Sequence, residues 1–227
     1  MSRGLGDVYK RQNYMKVIFL DVDGVLNSEK DLLEAKGKSE LFDRPLALLK
    51  ELVESTKAKI VVSSTWRIGC LKSGRNSWYG DEIFKTLTDR LAEYQMEVYD
   101  ITPVINKPGV QRGDEIRAWL ENAKEEIDAF VILDDDADMC EFTGTNLVQT
   151  SMKTGLLEYH VEIAKSILNG ENITHDVVLD AVRKVWDKLP ELRFGQLIVN
   201  VLGSDPFYEL DKNVVTKMRK YERKIGE

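Results

Sequence analysis

The chain has 227 residues, of which 43% are hydrophobic and 31% are charged, and its formal net charge is −7. This composition is ordinary for a soluble globular protein, and no apolar run approaches the roughly 20 residues that a membrane span needs, so we expect no membrane partner. The negative net charge excludes a general electrostatic attraction to nucleic acid, and such binding would need a local basic patch.

The cysteines and the first residues give expectations about the compartment and the start of the fold. Cys70 and Cys140 cannot form a disulfide scaffold and lack zinc-ligand spacing, which favours a reducing, cytoplasmic location. Residues 1–14 have no signal-peptide core, and their stretch GLGDVYKRQ resembles translated sequencing-adapter sequence. We therefore expect residues 1–14 to be a non-native or disordered leader, with the folded pattern beginning at Met15.

Apolar runs of strand length alternate with segments of helical periodicity along most of the chain. This alternation predicts an α/β fold in which a Rossmann-like parallel sheet is flanked by crossover helices. The predicted strands cover residues 17–20, 60–62, 97–101, 130–133 and 147–149. The predicted helices have apolar stripes within residues 46–53, 83–91, 116–123 and 156–168.

After residue 170 the pattern becomes purely helical. Amphipathic stripes cover residues 177–189, 194–202 and 214–218, and the last two are divided by the breaker GSDP. We predict a catalytic domain over residues 15–170 and a small helical module over residues 171–227. The module either closes over its own apolar faces, which we favour, or binds a protein partner.

The strongest chemical signal is FLDVDGVLNS, in which an apolar strand is followed by Asp21, Asp23 and Gly24. Ligands of an open parallel sheet bind at the carboxyl ends of its strands, and a turn at Gly24 would bring both carboxylates to one centre. Aspartate can attack phosphorus while a second carboxyl group protonates the leaving oxygen. A polar turn is the alternative interpretation, whereas a calcium loop is excluded because its later ligands are missing.

A second acidic motif, VILDDDADM, places Asp134, Asp135 and Asp138 directly after another apolar strand. These carboxylates predict a site for a hard cation such as Mg²⁺, since so many acidic groups repel one another without a cation. The alternative is a solvated acidic loop.

A third strand, in KIVVSSTWR, ends in hydroxyl groups. Ser64, with Ser63 or Thr65 beside it, can hydrogen-bond a phosphoryl oxygen, although such residues often cap the following helix. A basic residue is also needed to balance phosphoryl charge. Lys107 and Arg112 are the two candidates before the next helix, and either can also be a plain surface charge.

Taken in order, LDVDGV, VVSSTWR, a basic residue before a helix and VILDDD resemble the four motifs of the haloacid dehalogenase (HAD) superfamily. SSTWR, RGDEIRAWL and VILDDDADM together are similar to the HAD domain of multi-domain RNA-repair ("Swiss army knife") proteins. The resemblance implies a HAD-type sheet with a minimal cap. It also implies a magnesium-dependent phosphomonoester hydrolase that acts through an aspartyl-phosphate.

Residue by residue, the resemblance implies that Asp21 attacks phosphorus and that Asp23 protonates the leaving group and then activates water. Superfamily members that cleave carbon–halogen bonds lack the second aspartate, so Asp23 favours a phosphatase. Ser64 would orient the phosphoryl group. The charge of the phosphoryl group would be stabilised by Lys107, as is common in the superfamily, or by Arg112, as in the HAD domains of RNA-repair proteins. We favour Arg112.

The resemblance also implies the ligands of Mg²⁺. Asp135 would be the principal ligand of the second acidic motif, with Asp134 assisting. Asp21 and the backbone carbonyl of Asp23 would complete the protein's contribution.

Substrate choice in this superfamily depends on cap insertions, and both cap positions are short here. We expect residues 68–81 to form a loop beside an open site that admits a phosphorylated nucleic-acid end. Charge and stacking surfaces would come from Arg67, Lys72, Arg75, Trp78 and Tyr79. Two alternatives stay open: a small-molecule phosphatase or nucleotidase, and a catalytically vestigial binding module.

Overall fold

A five-stranded parallel sheet forms the centre of the protein. The computed structural model describes residues 15–34, 41–70, 78–171, 175–203 and 211–226. The strands are β1 (Met15–Leu20), β2 (Lys59–Val62), β3 (Val98–Ile101), β4 (Ile127–Asp134) and β5 (Leu147–Gln149). Their order across the sheet is β3-β2-β1-β4-β5, and every neighbouring pair is parallel. The predicted Rossmann-like α/β fold is therefore confirmed.

Five α-helices accompany this sheet in the described residues. They are α1 (Glu29–Glu34), α2 (Asp43–Thr56), α3 (Trp78–Glu93), α4 (Arg112–Glu121) and α5 (Glu158–Leu168). In α2, for example, Leu46, Leu49 and Leu52 recur at helical spacing and are completely buried. The apolar stripes in the sequence thus mark the faces that these helices bury.

The sheet separates two apolar clusters, and alternate residues of β1 enter each of them. Ile18 and Leu20 belong to the larger cluster, together with buried residues of α2, α3 and α5. Val17 and Phe19 belong to the smaller cluster, where Phe19 packs edge-to-face on Trp119 of α4. Because both faces of β1 are covered, the strand is a continuous apolar run, as is typical of a parallel sheet.

The C-terminal residues form three helices: α6 (His175–Asp187), α7 (Phe194–Leu202) and α8 (Asp211–Ile225). Their buried apolar side chains form a third cluster that is separate from the two at the sheet. Helix α8 also packs on α5, and Arg219 of α8 pairs at 3.5 Å with Glu171, which follows the end of α5. The predicted helical module is present, whereas the domain boundary near residue 170 and a protein partner stay predictions.

The expectation of a loop over residues 68–81 is wrong for the described part of that segment. A 3-10 helix covers Thr65–Cys70, and α3 already begins at Trp78. The apolar stripe around residues 83–91 marks only the buried face of α3, so it could not show where the helix begins. Lys72 and Arg75 lie outside the described residues. In the described part of the chain, no helix has the length and apolar character to cross a membrane.

The separate C-terminal cluster predicts that truncating its core affects the module first. Leu197 on α7 is completely buried, whereas Val199 on the same helix is 51% exposed. We expect Leu197→Ala to lower the free energy of unfolding by about 2–5 kcal/mol, because it leaves a cavity. Val199→Ala is the matched control and should change it by less than about 0.5 kcal/mol.

Urea denaturation would measure both changes, and amide hydrogen exchange would locate them. Loss of protection in α6, α7 and α8, with β1 and β4 unchanged, is the expected pattern. Equal loss throughout the sheet would contradict a separately stabilised module.

Candidate active site

The carboxyl ends of β1 and β4 bring the two acidic motifs together. Leu20 and Leu133 are partners in the parallel ladder, and the Asp21 amide donates to the Leu133 carbonyl at 2.9 Å. The residues that follow this pair therefore share one edge of the sheet. Carboxylate oxygens of Asp21, Asp134 and Asp135 lie within 4.8 Å of one another.

The turn at Gly24 is shaped around Asp135. Gly24 has φ of +70°, a region that L side chains rarely adopt, and a Cβ there would lie 2.4 Å from Cγ of Asp135. The Thr150 hydroxyl donates to the Gly24 carbonyl at 2.8 Å, which ties the turn to the residue after β5. Glycine is thus required here both for the turn and for the space that the Asp135 carboxylate occupies.

Burial makes the ionised form of the clustered carboxylates unfavourable. Burial, together with the charge of Asp21, raises the pKa of Asp134 to about 8. Burial also raises the pKa of Asp21 to about 6, although Arg112 and a hydrogen bond from Ser64 act in the opposite direction. The second oxygen of Asp134, Oδ2, is buried without a hydrogen-bond partner among the described residues. Converging carboxylates with an unsatisfied oxygen fit a hard divalent cation.

Asp23 has different surroundings, since its carboxylate accepts hydrogen bonds from neutral groups. The indole Nε1 of Trp66 donates to Oδ2 of Asp23 at 3.0 Å, and Nδ2 of Asn27 donates to Oδ1 at 2.8 Å. The side-chain oxygen of Asn27 also accepts from the Gly24 amide at 3.0 Å. Neither partner is recognisable as functional from the sequence, because both residues lie inside the motifs but neither side chain is reactive by itself.

Of the three hydroxyls after β2, that of Ser64 lies beside Asp21. Ser64 is completely buried, hydrogen-bonds Asp21, and accepts from the backbone amide of Trp66 at 3.3 Å. The hydroxyl of Ser63 instead accepts from that of Thr102 at 3.4 Å. Thr65 is exposed at the start of the 3-10 helix. The geometry therefore favours Ser64 as the phosphoryl-orienting group.

The prediction that Arg67 contacts the substrate is wrong, because its side chain is buried. It is only 3% exposed, and all three of its guanidinium nitrogens donate hydrogen bonds. The acceptors are the backbone carbonyls of Ser64, Thr102 and Pro103 and the carboxylate of Glu115. A buried guanidinium needs such partners, so Arg67 connects the segment after β2 to α4.

Arg112 is the basic residue that reaches the acidic cluster. Its Nη1 lies 3.6 Å from Oδ1 of Asp21 and, within the described residues, has no hydrogen-bond partner. Lys107 is exposed on the preceding loop, and no ion pair joins it to the described acidic cluster. The geometry thus favours Arg112 over Lys107 as the group that balances phosphoryl charge.

Asp138 is not one of the three converging carboxylates, because one of its oxygens holds the start of α4. Its other oxygen, Oδ1, is buried without a hydrogen-bond partner among the described residues. Its Oδ2 accepts from the Arg112 amide at 3.3 Å, and its carbonyl accepts from the Gly113 amide at 3.1 Å. A Cβ on Gly113 would lie 2.4 Å from the carbonyl carbon of Met139. This close approach fixes the beginning of α4 and hence the position of Arg112.

Comparison with known proteins gives one family. A family model described as "HAD domain in Swiss Army Knife RNA repair proteins" matches residues 17–161. No curated protein and no solved structure matches the chain. The matched range includes both acidic motifs, Ser64 and Arg112.

The close contact at Gly24 predicts that Gly24→Ala weakens cation binding. The new Cβ would displace the Asp135 carboxylate, and we expect at least a tenfold loss of Mn²⁺ or Mg²⁺ affinity by isothermal titration calorimetry. Gly170→Ala is the matched control, because Gly170 has φ of +66° but no atom within 4 Å of the added Cβ. The control should lose about 1–2 kcal/mol of stability from backbone strain and keep its affinity. Equal affinities in both variants would contradict the role of Asp135.

The raised pKa of Asp134 predicts a pH-dependent stability in EDTA. Between its ordinary value of 3.8 and about 8, folded Asp134 keeps a proton that the unfolded chain has lost. The free energy of unfolding should therefore fall as pH rises through this window, and the wild type should lose more than Asp134→Asn. A divalent cation should restore more stability at pH 8 than at pH 6, since its ligands must be ionised. Urea denaturation at each pH would show this, and parallel curves for both proteins would refute it.

Proposed function

The chain belongs to the family of HAD domains in Swiss Army Knife RNA repair proteins, and on this basis we propose that it is a magnesium-dependent phosphomonoesterase with Asp21 as nucleophile. The family implies a phosphatase-type hydrolase. The observation that carries the proposal is the meeting of Asp21, Asp134 and Asp135 within 4.8 Å, beside Ser64 and Arg112.

In the proposed reaction, a carboxylate oxygen of Asp21 forms a bond to phosphorus while the bond from phosphorus to the leaving oxygen breaks. Asp23 gives its proton to that oxygen. Asp23 then takes a proton from water, whose oxygen attacks the phosphorus of the aspartyl-phosphate and releases inorganic phosphate. Asp21 is regenerated as a carboxylate, so atoms and charge balance over the cycle.

The remaining side chains position and neutralise the phosphoryl group. Ser64 would donate a hydrogen bond to a phosphoryl oxygen, and Arg112 would balance its negative charge. Asp21, Asp134 and Asp135 would hold Mg²⁺, which when bound supplies positive charge to the phosphoryl oxygens and relieves the carboxylate repulsion. Asp21 would then stay ionised at neutral pH, as a nucleophile must.

A phosphorylated nucleic-acid end is the substrate class that we propose first. The family's description names RNA repair, and in the described residues between Gly24 and α2 the only helix is α1, which has six residues. A short insertion at this position supports an open site that admits a polymer end.

A small-molecule phosphate is the second candidate, and two observations favour it. The net charge of −7 gives no general attraction to a polyanion. Arg67, which we expected to contact a nucleic acid, is buried in an ion pair with Glu115 and is not available for that contact. The same reacting side chains would serve a mononucleotide equally well. A vestigial binding module is disfavoured, because every expected catalytic position is filled.

The decisive variant is Asp21→Asn, which should abolish magnesium-dependent phosphate release because the amide is not a nucleophile. Asp23→Asn should lower the rate by about 10²–10⁴-fold through loss of acid–base catalysis. Asp128→Asn is the control, because Asp128 is exposed near the opposite end of β4. Phosphate release would be measured with Mg²⁺ and with EDTA. Full activity in Asp21→Asn would eliminate the mechanism, and no activity in the wild type would support a vestigial module.

The same assay distinguishes the two substrate classes. The panel should contain RNA and DNA oligonucleotides with a 5′- or 3′-terminal phosphate, mononucleotides and sugar phosphates. A higher kcat/KM on oligonucleotide ends supports the first candidate. Hydrolysis of mononucleotides without any hydrolysis of oligonucleotide ends would reject it in favour of the second.

A further inference from the structure

Trp66 contacts two of the proposed catalytic side chains through two different N–H groups. Its backbone amide donates to the hydroxyl of Ser64 at 3.3 Å, and its indole Nε1 donates to Oδ2 of Asp23 at 3.0 Å. The side chain lies in the 3-10 helix Thr65–Cys70 and packs against the larger apolar cluster. Packing therefore fixes the direction in which the indole N–H points.

Asp23 is held at both oxygens, because Asn27 donates to Oδ1 at 2.8 Å while Trp66 donates to Oδ2. Asn27 is in turn fixed by the Gly24 amide, which donates to its side-chain oxygen at 3.0 Å. A carboxylate with a single partner can rotate about its Cβ–Cγ bond, whereas two donors on different oxygens define its plane. The remaining lone pair of each oxygen stays available for a proton.

We propose that Trp66 is a positioning residue that holds Asp23 in line with the leaving oxygen, with Asn27 as its partner on the other carboxylate oxygen. This inference rests on the proposed phosphatase function. Trp66 keeps its own proton throughout. The proton that reaches the leaving oxygen comes from Asp23, and Trp66 acts only by fixing the position of the Asp23 carboxyl group.

Misplacing a general acid slows some substrates more than others. An alkyl leaving group departs as a strong base and needs the proton, whereas p-nitrophenolate is a stable anion that departs without one. Loss of the Trp66 hydrogen bond should therefore penalise alkyl phosphates selectively. A general loss of folding or of cation binding would slow both substrate types by the same factor.

The test is Trp66→Phe, which removes the indole N–H but retains an aromatic ring for packing. We expect kcat/KM for an alkyl phosphate to fall by about 10–100-fold, as is typical of displacing a catalytic group. The value for p-nitrophenyl phosphate should stay nearly unchanged, so the ratio of the two should rise by at least about tenfold. Equal slowing of both substrates, or no slowing of either, would overturn the proposal.

Trp119→Phe is a matched control within the same fold. The indole of Trp119 also donates to an aspartate, Oδ2 of Asp100, at 2.8 Å, and the side chain packs in the smaller apolar cluster. Its substitution removes the same chemical group from a site that contains no proposed catalytic residue. The ratio of the two kcat/KM values should stay at the wild-type value.

A second measurement does not depend on activity. The four tryptophans give four indole N–H signals in a ¹⁵N-labelled sample, and the signals of Trp66 and Trp119 are assigned from the two phenylalanine variants. Asp23→Ala should shift the Trp66 signal and leave the Trp119 signal in place. An unmoved Trp66 signal would refute the contact. Failure of the phosphatase function itself would show in wild type and Asp21→Asn, without any Trp66 variant.

Discussion

The burial of converging carboxylates is the constraint around which this site is built. Asp21 and Asp134 directly follow Leu20 and Leu133, which are partners in the β1–β4 ladder. Both strands are buried on both faces, so the two carboxylates cannot move apart. Burial raises the pKa of both groups, which shows how unfavourable their charges are without a counterion. Arg112 supplies part of the compensation at 3.6 Å from Asp21, and a cation bound by the converging carboxylates would supply the rest.

The groups that compensate these buried charges are themselves held by contacts outside the site. Arg67 and Glu115 form a buried ion pair between the segment that carries Ser64 and the helix that carries Arg112. Asp138 holds the first amides of that helix. A buried ion pair is weak evidence for stability, but it fixes geometry well. We therefore interpret the Arg67–Glu115 pair as a connection that sets the distance between the hydroxyl and the guanidinium at Asp21.

The sheet, its flanking helices and the convergence of the two acidic motifs could be predicted because they depend on local patterns. An apolar run followed by carboxylates gives both the strand and its reactive end. The burial of Arg67 could not be predicted from local patterns, because its carboxylate partner is 48 residues away and its other acceptors are backbone carbonyls. Residue patterns alone do not separate Lys107 from Arg112, and only the family resemblance favours Arg112. The choice depends on where α4 begins, which the contacts of Gly113 and Asp138 decide.

Asp21 and Asp23 are two residues apart, yet the structure gives their carboxylates different partners, and this difference separates their proposed roles. Asp21 stands among charges: two carboxylates, a guanidinium and the place for a cation. Asp23 is oriented by the neutral N–H groups of Trp66 and Asn27. Two donors on different oxygens fix the plane of the Asp23 carboxylate without placing a formal charge beside it. An acid–base group has to present its proton to the leaving oxygen in the right direction, so this orientation suits Asp23 to its proposed role.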